Sequence, residues 1–211
     1  MKVVVTSGPT RAYIDEIRYI SNYSTGKLGS LVAEKLARQG HKVTLVYGSG
    51  SILPVNKNIK KAGIETVRDL IKTLKKEIKD AGAVVHAMAV LDYEPEKLLR
   101  TKVKSDKKNW TVRFKRTPKV IDMIKKLNPK TQLIGFKLEY KAGSKTLKAS
   151  ALKLSFKSGA DYVVANDYSD IKKGVHKAVV FDKNGRVIFK AAGKEKIADG
   201  IVKILGQKVR N

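Results

Sequence analysis

The chain has 211 residues, with 45 Lys and Arg against 19 Asp and Glu, three His, no Cys and a formal charge of +26. That length suits one domain with a substantial core, expected over 1–211, and is short for two fused enzymes. The lack of cysteine excludes disulfides, Cys-held zinc, iron–sulfur clusters and thiol nucleophiles. No apolar run approaches the ~20 residues of a membrane span, and the opening MKVVVTSGPT does not read as a signal peptide, so a cytoplasmic protein with no membrane partner is expected.

The first strand is predicted over residues 2–6, a β-branched run cut off by Ser7-Gly8-Pro9. A long polar loop follows. Leu28, Leu31, Val32 and Leu36 then fall at helical spacing, with Ser24 or Thr25 to cap the start and Gly40 to close the end. Residues 41–47 read as a strand, which makes a βαβ unit with a parallel pair. Further strands are predicted over 63–67, 83–90, 109–114, 131–138 and 161–165. The helices between them fall over 68–80, 118–126, opened by Pro118 at its first turn, and 144–158. Two alternating runs, 177–182 and 186–191, meet at Asn184-Gly185 as a hairpin, and a helix over 193–205 ends the pattern. The fold class predicted is α/β: a Rossmann-like three-layer fold with a largely parallel central sheet and an antiparallel C-terminal hairpin extension.

The basic excess suits any polyanion, nucleotides and phosphorylated metabolites as well as nucleic acid. The lysines are spread over solvated helix faces such as Lys72, Lys75, Lys76 and Lys79, and no RRM aromatics, zinc-finger spacing or basic zipper accompanies them, so no specific nucleic acid partner is expected. In an open parallel sheet, ligands bind beyond the carboxyl ends of the strands. Four segments placed there are polar: Ser7–Arg11, Asp92-Tyr93, Gly135-Phe136-Lys137 and Asn166-Asp167. The loop Asn22 to Gly29 leads into a helix N-terminus, where free N–H groups favour phosphate. Gly26-x-x-Gly29 is neither the dinucleotide fingerprint nor a Walker A loop, and tight helix–strand packing explains it equally well.

Read in order, Ser7-Gly-Pro-Thr-Arg11, Arg18-Tyr-Ile-Ser-Asn22, Ser24-Thr-Gly-Lys27-Leu-Gly29, Ala89-Val-Leu-Asp92-Tyr93, Lys102-Val-Lys104, Arg116-Thr-Pro118, Gly135-Phe-Lys-Leu-Glu139 and Asp161-Tyr-Val-Val-Ala-Asn166-Asp167 closely resemble the phosphopantothenoylcysteine synthetase (phosphopantothenate–cysteine ligase) family over nearly the whole chain. The chain departs from the bacterial pattern at Lys137-Leu138-Glu139 and at Ser105, where the family's basic run continues. Many bacterial members carry a flavin decarboxylase in front, which is expected here as a separate protein.

The resemblance implies a ligase that joins 4′-phosphopantothenate to L-cysteine through an acyl-nucleotidylate, using CTP or ATP with Mg²⁺ and releasing pyrophosphate, in coenzyme A biosynthesis. It implies catalytic roles for Asn22 and Lys102, and nucleotide contacts from Gly8, Asp92, Lys102, Lys104, Phe136, Lys137, Lys153, Lys157, Asn166 and Asp167. Asn22, Ser24, Gly26 and Lys27 are expected at the substrate, and Mg²⁺ is expected to arrive with the nucleotide, with no protein-held metal site. A homodimer is implied, with segments around 100–116 and 170–191 at its interface. His41, His86 and His176 read as structural. The competing readings are a non-catalytic nucleotide- or RNA-binding module and, last, an NAD-dependent oxidoreductase, whose glycine fingerprint is missing.

Overall fold

The β-branched N-terminal run forms β1 (Lys2–Ser7) at the centre of an eight-stranded sheet in the computed structural model, which describes residues 1–106 and 108–206. A short antiparallel ribbon, β2 (Arg11–Tyr13) and β3 (Tyr19–Ser21), occupies the loop predicted to be irregular. The chain continues through α1 (Lys27–Arg38), β4 (Lys42–Gly48), β5 (Lys60–Ile64), α2 (Val67–Glu77) and β6 (Ala83–His86). A second ribbon, β7 (Tyr93–Pro95) with β8 (Phe114–Arg116), precedes α3 (Ile121–Leu127), β9 (Gln132–Glu139) and α4 (Ser144–Ser158). Last come β10 (Tyr162–Asp167), α5 (Tyr168–Lys172), β11 (Lys177–Asp182), β12 (Val187–Ala192) and α6 (Lys194–Gly206).

The sheet order is β12-β11-β10-β9-β6-β1-β4-β5. In that order the six strands β10, β9, β6, β1, β4 and β5 run parallel, and β11 and β12 turn antiparallel, as the Asn-Gly hairpin signal predicts. Alternate residues serve opposite faces. Val3, Val5, Val85, Ile134 and Val164 meet Val32 and Leu36 of α1 and Ile197, Ile201 and Leu205 of α6. Val4, Val84, Leu133 and Val163 meet Leu70 and Leu74 of α2, Ile121 and Ile124 of α3 and Ala151 of α4. A sheet covered on both faces must be apolar on both, which is why its strands read as continuous apolar runs. No helix among the described residues is long and apolar enough to cross a membrane.

Several boundaries differ from expectation, each for a local reason. The strand predicted over 63–67 lies at Lys60–Ile64, its exposed lysines masking it, while Thr66 and Asp69 form the capping box that starts α2. The run 83–90 leaves the sheet after His86. Of 109–114 only Phe114 joins a strand. Pro118 precedes α3, whose N-cap is Val120. The N-cap of α1 is Gly26, at φ 70°, rather than Ser24 or Thr25. Residues 207–211, within the expected domain, and Lys107, within the expected 100–116 interface segment, lie outside the described residues.

Helix α1 approaches β1 so closely at Gly29 that a Cβ there would stand 2.5 Å from Ser7 Oγ and 2.7 Å from Ser7 Cβ. Gly29→Ala is therefore expected to destabilise the fold by about 1–3 kcal/mol, as overpacking does, measured by urea unfolding. Gly40→Ala also strains a positive φ, but meets nothing within 4 Å, and serves as the unclashed control.

Candidate active site

Strand β1 connects onward through α1 to β4 on one side, while β6 pairs with its other edge, so the loops leaving β1 and β6 part at the switch point of the sheet. These loops are laced together. The Ala87 and Ala89 N–H groups donate to Thr6 O (3.2 Å) and Gly8 O (2.8 Å), and Thr10 N–H donates to Ala89 O (3.2 Å). Two threonine hydroxyls complete the lacing, Thr6 Oγ1 accepting from Met88 N–H (3.3 Å) and Thr10 Oγ1 from Leu91 N–H (3.0 Å).

Above this floor lies a cleft of about 950 Å³. It brings together Asn22, Ser24, Gly26 and Lys27 from the approach to α1, Asp92 beyond β6, Phe136 and Lys137 of β9, Lys153 and Lys157 of α4, and Asn166 of β10. Asn22 Nδ2 donates to Val90 O at 3.1 Å, fixing the loop against the β6 exit. Asn166 Nδ2 donates to Lys177 O, which ties the end of β10 to β11.

Four expected residues lie outside the lining. Gly8 sits beneath it, at φ +76°, where a Cβ would stand 1.8 Å from Ser51 Oγ. Asp167 is turned to the backbone: it accepts from the N–H groups of Lys141, Ala142 and Ser169 and from the Ser169 hydroxyl. The Ser169 hydroxyl leads the donors that hold its carboxyl at about 2, with burial opposing them. Lys102 and Lys104 are exposed and flank Val103, whose N–H and carbonyl are held by Asp15 and Arg18. Burial raises the pKa of Asp15, but the N–H groups of Ile17, Arg18 and Val103 and the Arg18 guanidinium outweigh it and bring the carboxyl down to about 2.

The cleft also gathers residues that sequence reasoning missed, among them Lys119, Glu139, Ser150, Tyr168 and Lys194. Lys119 follows Pro118 in a quoted motif, and Lys194 opens the predicted terminal helix; those positions were the available signals. Among the described lining residues six are lysines and two are carboxylates, and both carboxylates are ion-paired. Lys119 Nζ is 2.6 Å from Asp92 Oδ1, and Lys137 Nζ is 3.2 Å from Glu139 Oε1. The Ser150 hydroxyl is the chief cause holding Glu139 below its usual range. The cleft is thus built to receive negative charge.

Residues 1–208 match the family described as DNA/pantothenate metabolism flavoprotein C-terminal domain. The chain belongs to this family. Its curated relatives include the coenzyme A biosynthesis bifunctional protein CoaBC of Thermococcus kodakarensis, 37% identical over 167 residues, covering 78% of this chain and 41% of that protein. The chain spans about half the length of the curated relatives it matches. The DNA/pantothenate metabolism flavoprotein of Streptococcus pneumoniae superposes with a TM-score of 0.89 at 29% identity, over 99% of both chains. A Cab2 mutant solved in complex with phosphopantothenate-cysteine shares the fold at a TM-score of 0.77 and 16% identity, over 100% of this chain and 89% of that one. The family read from ordered motifs is borne out, as is the fold.

His86 is fully enclosed at the floor, with Nδ1 2.9 Å from Thr6 Oγ1. Burial, aided by the charge of Lys119, lowers its pKa from 6.5 to about 4, so the imidazole is neutral at pH 7. Between those values the unfolded chain binds the proton that the folded one refuses, so stability falls as pH drops through the window, by ~3 kcal/mol from this group. Equilibrium unfolding at pH 7 and pH 4.5 is expected to show that loss in the wild type. His86→Gln should lack the part due to this ring, leaving the contributions of His41 and His176 and of carboxylates held below their usual range, such as Glu77 and Glu139, all of the same sign.

Proposed function

We propose that this chain is the ligase that joins 4′-phosphopantothenate to L-cysteine in coenzyme A biosynthesis, through an acyl-nucleotidylate formed from CTP or ATP, in the cytoplasm. The observation that carries the reading is the lysine-rich cleft at the switch point, which gathers Asn22 and the start of α1 with Asp92, Phe136, Lys153 and Lys157. Family membership supports it, as does the fold shared with a Cab2 mutant solved in complex with phosphopantothenate-cysteine.

In the first step a carboxylate oxygen of phosphopantothenate attacks the α-phosphorus, and the bond to the bridging oxygen breaks, so that pyrophosphate leaves with the electron pair. The obstacle is repulsion between two polyanions, worth about 4 kcal/mol for each pair of unit charges 4 Å apart at an effective dielectric near 20. Fixed ammonium groups and N–H donors offset that repulsion without reorganising. In the second step the cysteine amine attacks the acyl carbon, the acyl C–O bond breaks so that the nucleoside monophosphate leaves with the electron pair, and the amine's proton passes to solvent. Asn22 holds the adduct with its amide. Lys27, Lys153 and Lys157 face phosphate or base, Phe136 borders the base, and Asp92 accepts from ribose or base.

Among the described residues no group of three or more His, Cys, Asp or Glu could hold a metal ion, and the two carboxylates of the lining are already ion-paired. These side chains do not make a magnesium cage, and Mg²⁺ arriving with the nucleotide would supply charge neutralisation on its phosphates. Lys102 meets a triphosphate only if its loop moves or a second copy supplies it. A homodimer fits: Tyr93, Leu98, Leu99, Trp110 and Phe114 are exposed on and near β7 and β8, and Val175, Val187 and Ile188 within or near 170–191.

The protein incubated with 4′-phosphopantothenate, cysteine, Mg²⁺ and CTP or ATP is expected to release pyrophosphate only when phosphopantothenate is present. Salt-sensitive RNA binding with no pyrophosphate would replace this reading with a binding module. Asn22→Asp is expected to slow consumption of the acyl-nucleotidylate by about 100-fold while sparing its formation, since a carboxylate beside the adduct opposes it. Single-turnover quenching that finds no adduct would remove that role. Lys102→Gln should raise the nucleotide KM, at a cost of about 1–3 kcal/mol for a lost charged hydrogen bond; unchanged steady-state kinetics would return Lys102 to the solvated surface.

A further inference from the structure

Helices α1 and α6 pack side by side, and their charges are matched unevenly. Lys35 of α1 is met by two carboxylates of α6, Glu195 Oε2 at 2.9 Å and Asp199 Oδ1 at 2.8 Å. At the cleft end of the same helix pair, Lys27 and Lys194 have no carboxylate partner among the described residues. Both line the cleft, and Lys194 is half-buried there. His176 stands beside them, because its carbonyl accepts from Gly193 N–H at 2.8 Å, and its Nδ1 is buried with no hydrogen-bond partner. Desolvation, then the charge of Lys27, lowers the Lys194 pKa, and desolvation, then Lys194, lowers that of His176. Two ammonium groups line this end of the cleft with no ion pair of their own among the described residues, Glu195 being engaged by Lys35, and an unpartnered imidazole nitrogen lies next to Lys194 in the chain's fold.

We propose that Lys194, with Lys27 and His176, binds the phosphoryl oxygens of the substrate at the α1–α6 end of the cleft. The proposal rests on the ligase reading for the identity of that group. Its two sources there are the pyrophosphate end of the nucleotide and the phosphate of phosphopantothenate. Both present oxygens that take charged hydrogen bonds from several nitrogen donors. Lys194 differs from the exposed lysines of α4 on the opposite wall in being withdrawn from water, so it gains more from a bound anion than they do.

The test compares wild type, Lys194→Gln and Lys194→Arg, with inorganic pyrophosphate and 4′-phosphopantothenate as separate probes in calorimetric titration. Lys194→Gln is expected to bind at least one of them tenfold or more weakly, and Lys194→Arg to recover most of the loss. The probe that suffers more identifies the source. Without ligand, Lys194→Gln should melt at or above the wild-type temperature, since the repulsion with Lys27 is gone. Equal affinity of wild type and Lys194→Gln for both probes would overturn the proposal, as would a lower ligand-free melting temperature with affinities intact, which would make Lys194 a packing residue. Binding needs no turnover, so Lys194-dependent affinity in a protein that releases no pyrophosphate from CTP or ATP would sink the ligase reading and leave the anion site standing. Turnover with an unchanged KM for both substrates in Lys194→Gln would do the reverse.

Discussion

The lacing of the β1 and β6 exit loops is the constraint on which the site depends. A doubly wound sheet opens a crevice wherever its strand order reverses, but the crevice is useful only if its floor is rigid. Here the floor is held by backbone hydrogen bonds between Thr6–Thr10 and Ala87–Leu91, and by two threonine hydroxyls that accept from backbone N–H groups of the other loop. The lacing extends outward through Thr117, whose hydroxyl donates to Leu91 O and whose N–H donates to Asp92 O at 3.0 Å. Asp92 and the start of α3 are thereby fixed to the same frame. His86 is enclosed as part of that frame, and its neutrality follows from the enclosure.

A charge of +26 says little until it is placed. Much of it is solvated or matched locally, as in Lys60 with Glu77 or Lys125 with Asp161. The cleft differs because its six lysines converge on one cavity whose two carboxylates are already ion-paired. Repulsion among cations at one rim costs folding stability and is recovered when a polyanion binds, so binding and stability are opposed there. A diffuse basic surface would attract nucleic acid without discrimination. A concave group of cations over a rigid floor has a shape that small polyanions can match and a duplex cannot.

What the sequence made legible follows from what water does to a pattern. Buried strands such as β1 and β10, and helices with one apolar stripe such as α1 and α2, carry their periodicity openly. The ribbons β2–β3 and β7–β8 have only three residues per strand, too few for an alternation to mark them, and β5 is masked by its lysines. The cleft loops were legible because motif residues keep their order, and ten of the expected site residues line one cavity. Asp167 and Gly8 share those motifs yet serve the backbone, which motif order cannot distinguish. Lys194 was invisible for the opposite reason: among 45 basic residues, only its withdrawal from water and its unmatched neighbour set it apart.

The two ways in which helices begin here separate scaffold from site. At α2 the Thr66 hydroxyl accepts from Asp69 N–H while the Asp69 carboxylate accepts from Thr66 N–H, so the helix satisfies its own donors and places a negative charge at its positive end. At α1 the N-cap is a buried glycine and the first turn holds no acid. The Gly26 conformation is fixed from below, where a Cβ would stand 2.9 Å from Ser51 Cβ and 3.0 Å from Ser7 Oγ, and where Ser7 Oγ donates to Gly26 O at 2.7 Å. Gly26 itself offers no side-chain cap, and the long contact from Lys27 N–H to Thr25 Oγ1 at 3.5 Å is the nearest substitute, so the positive end of α1 carries no neutralising acid of its own. The sequence thus starts α2 with a reciprocal side-chain cap, and α1 with a glycine whose conformation is set by the packing beneath it.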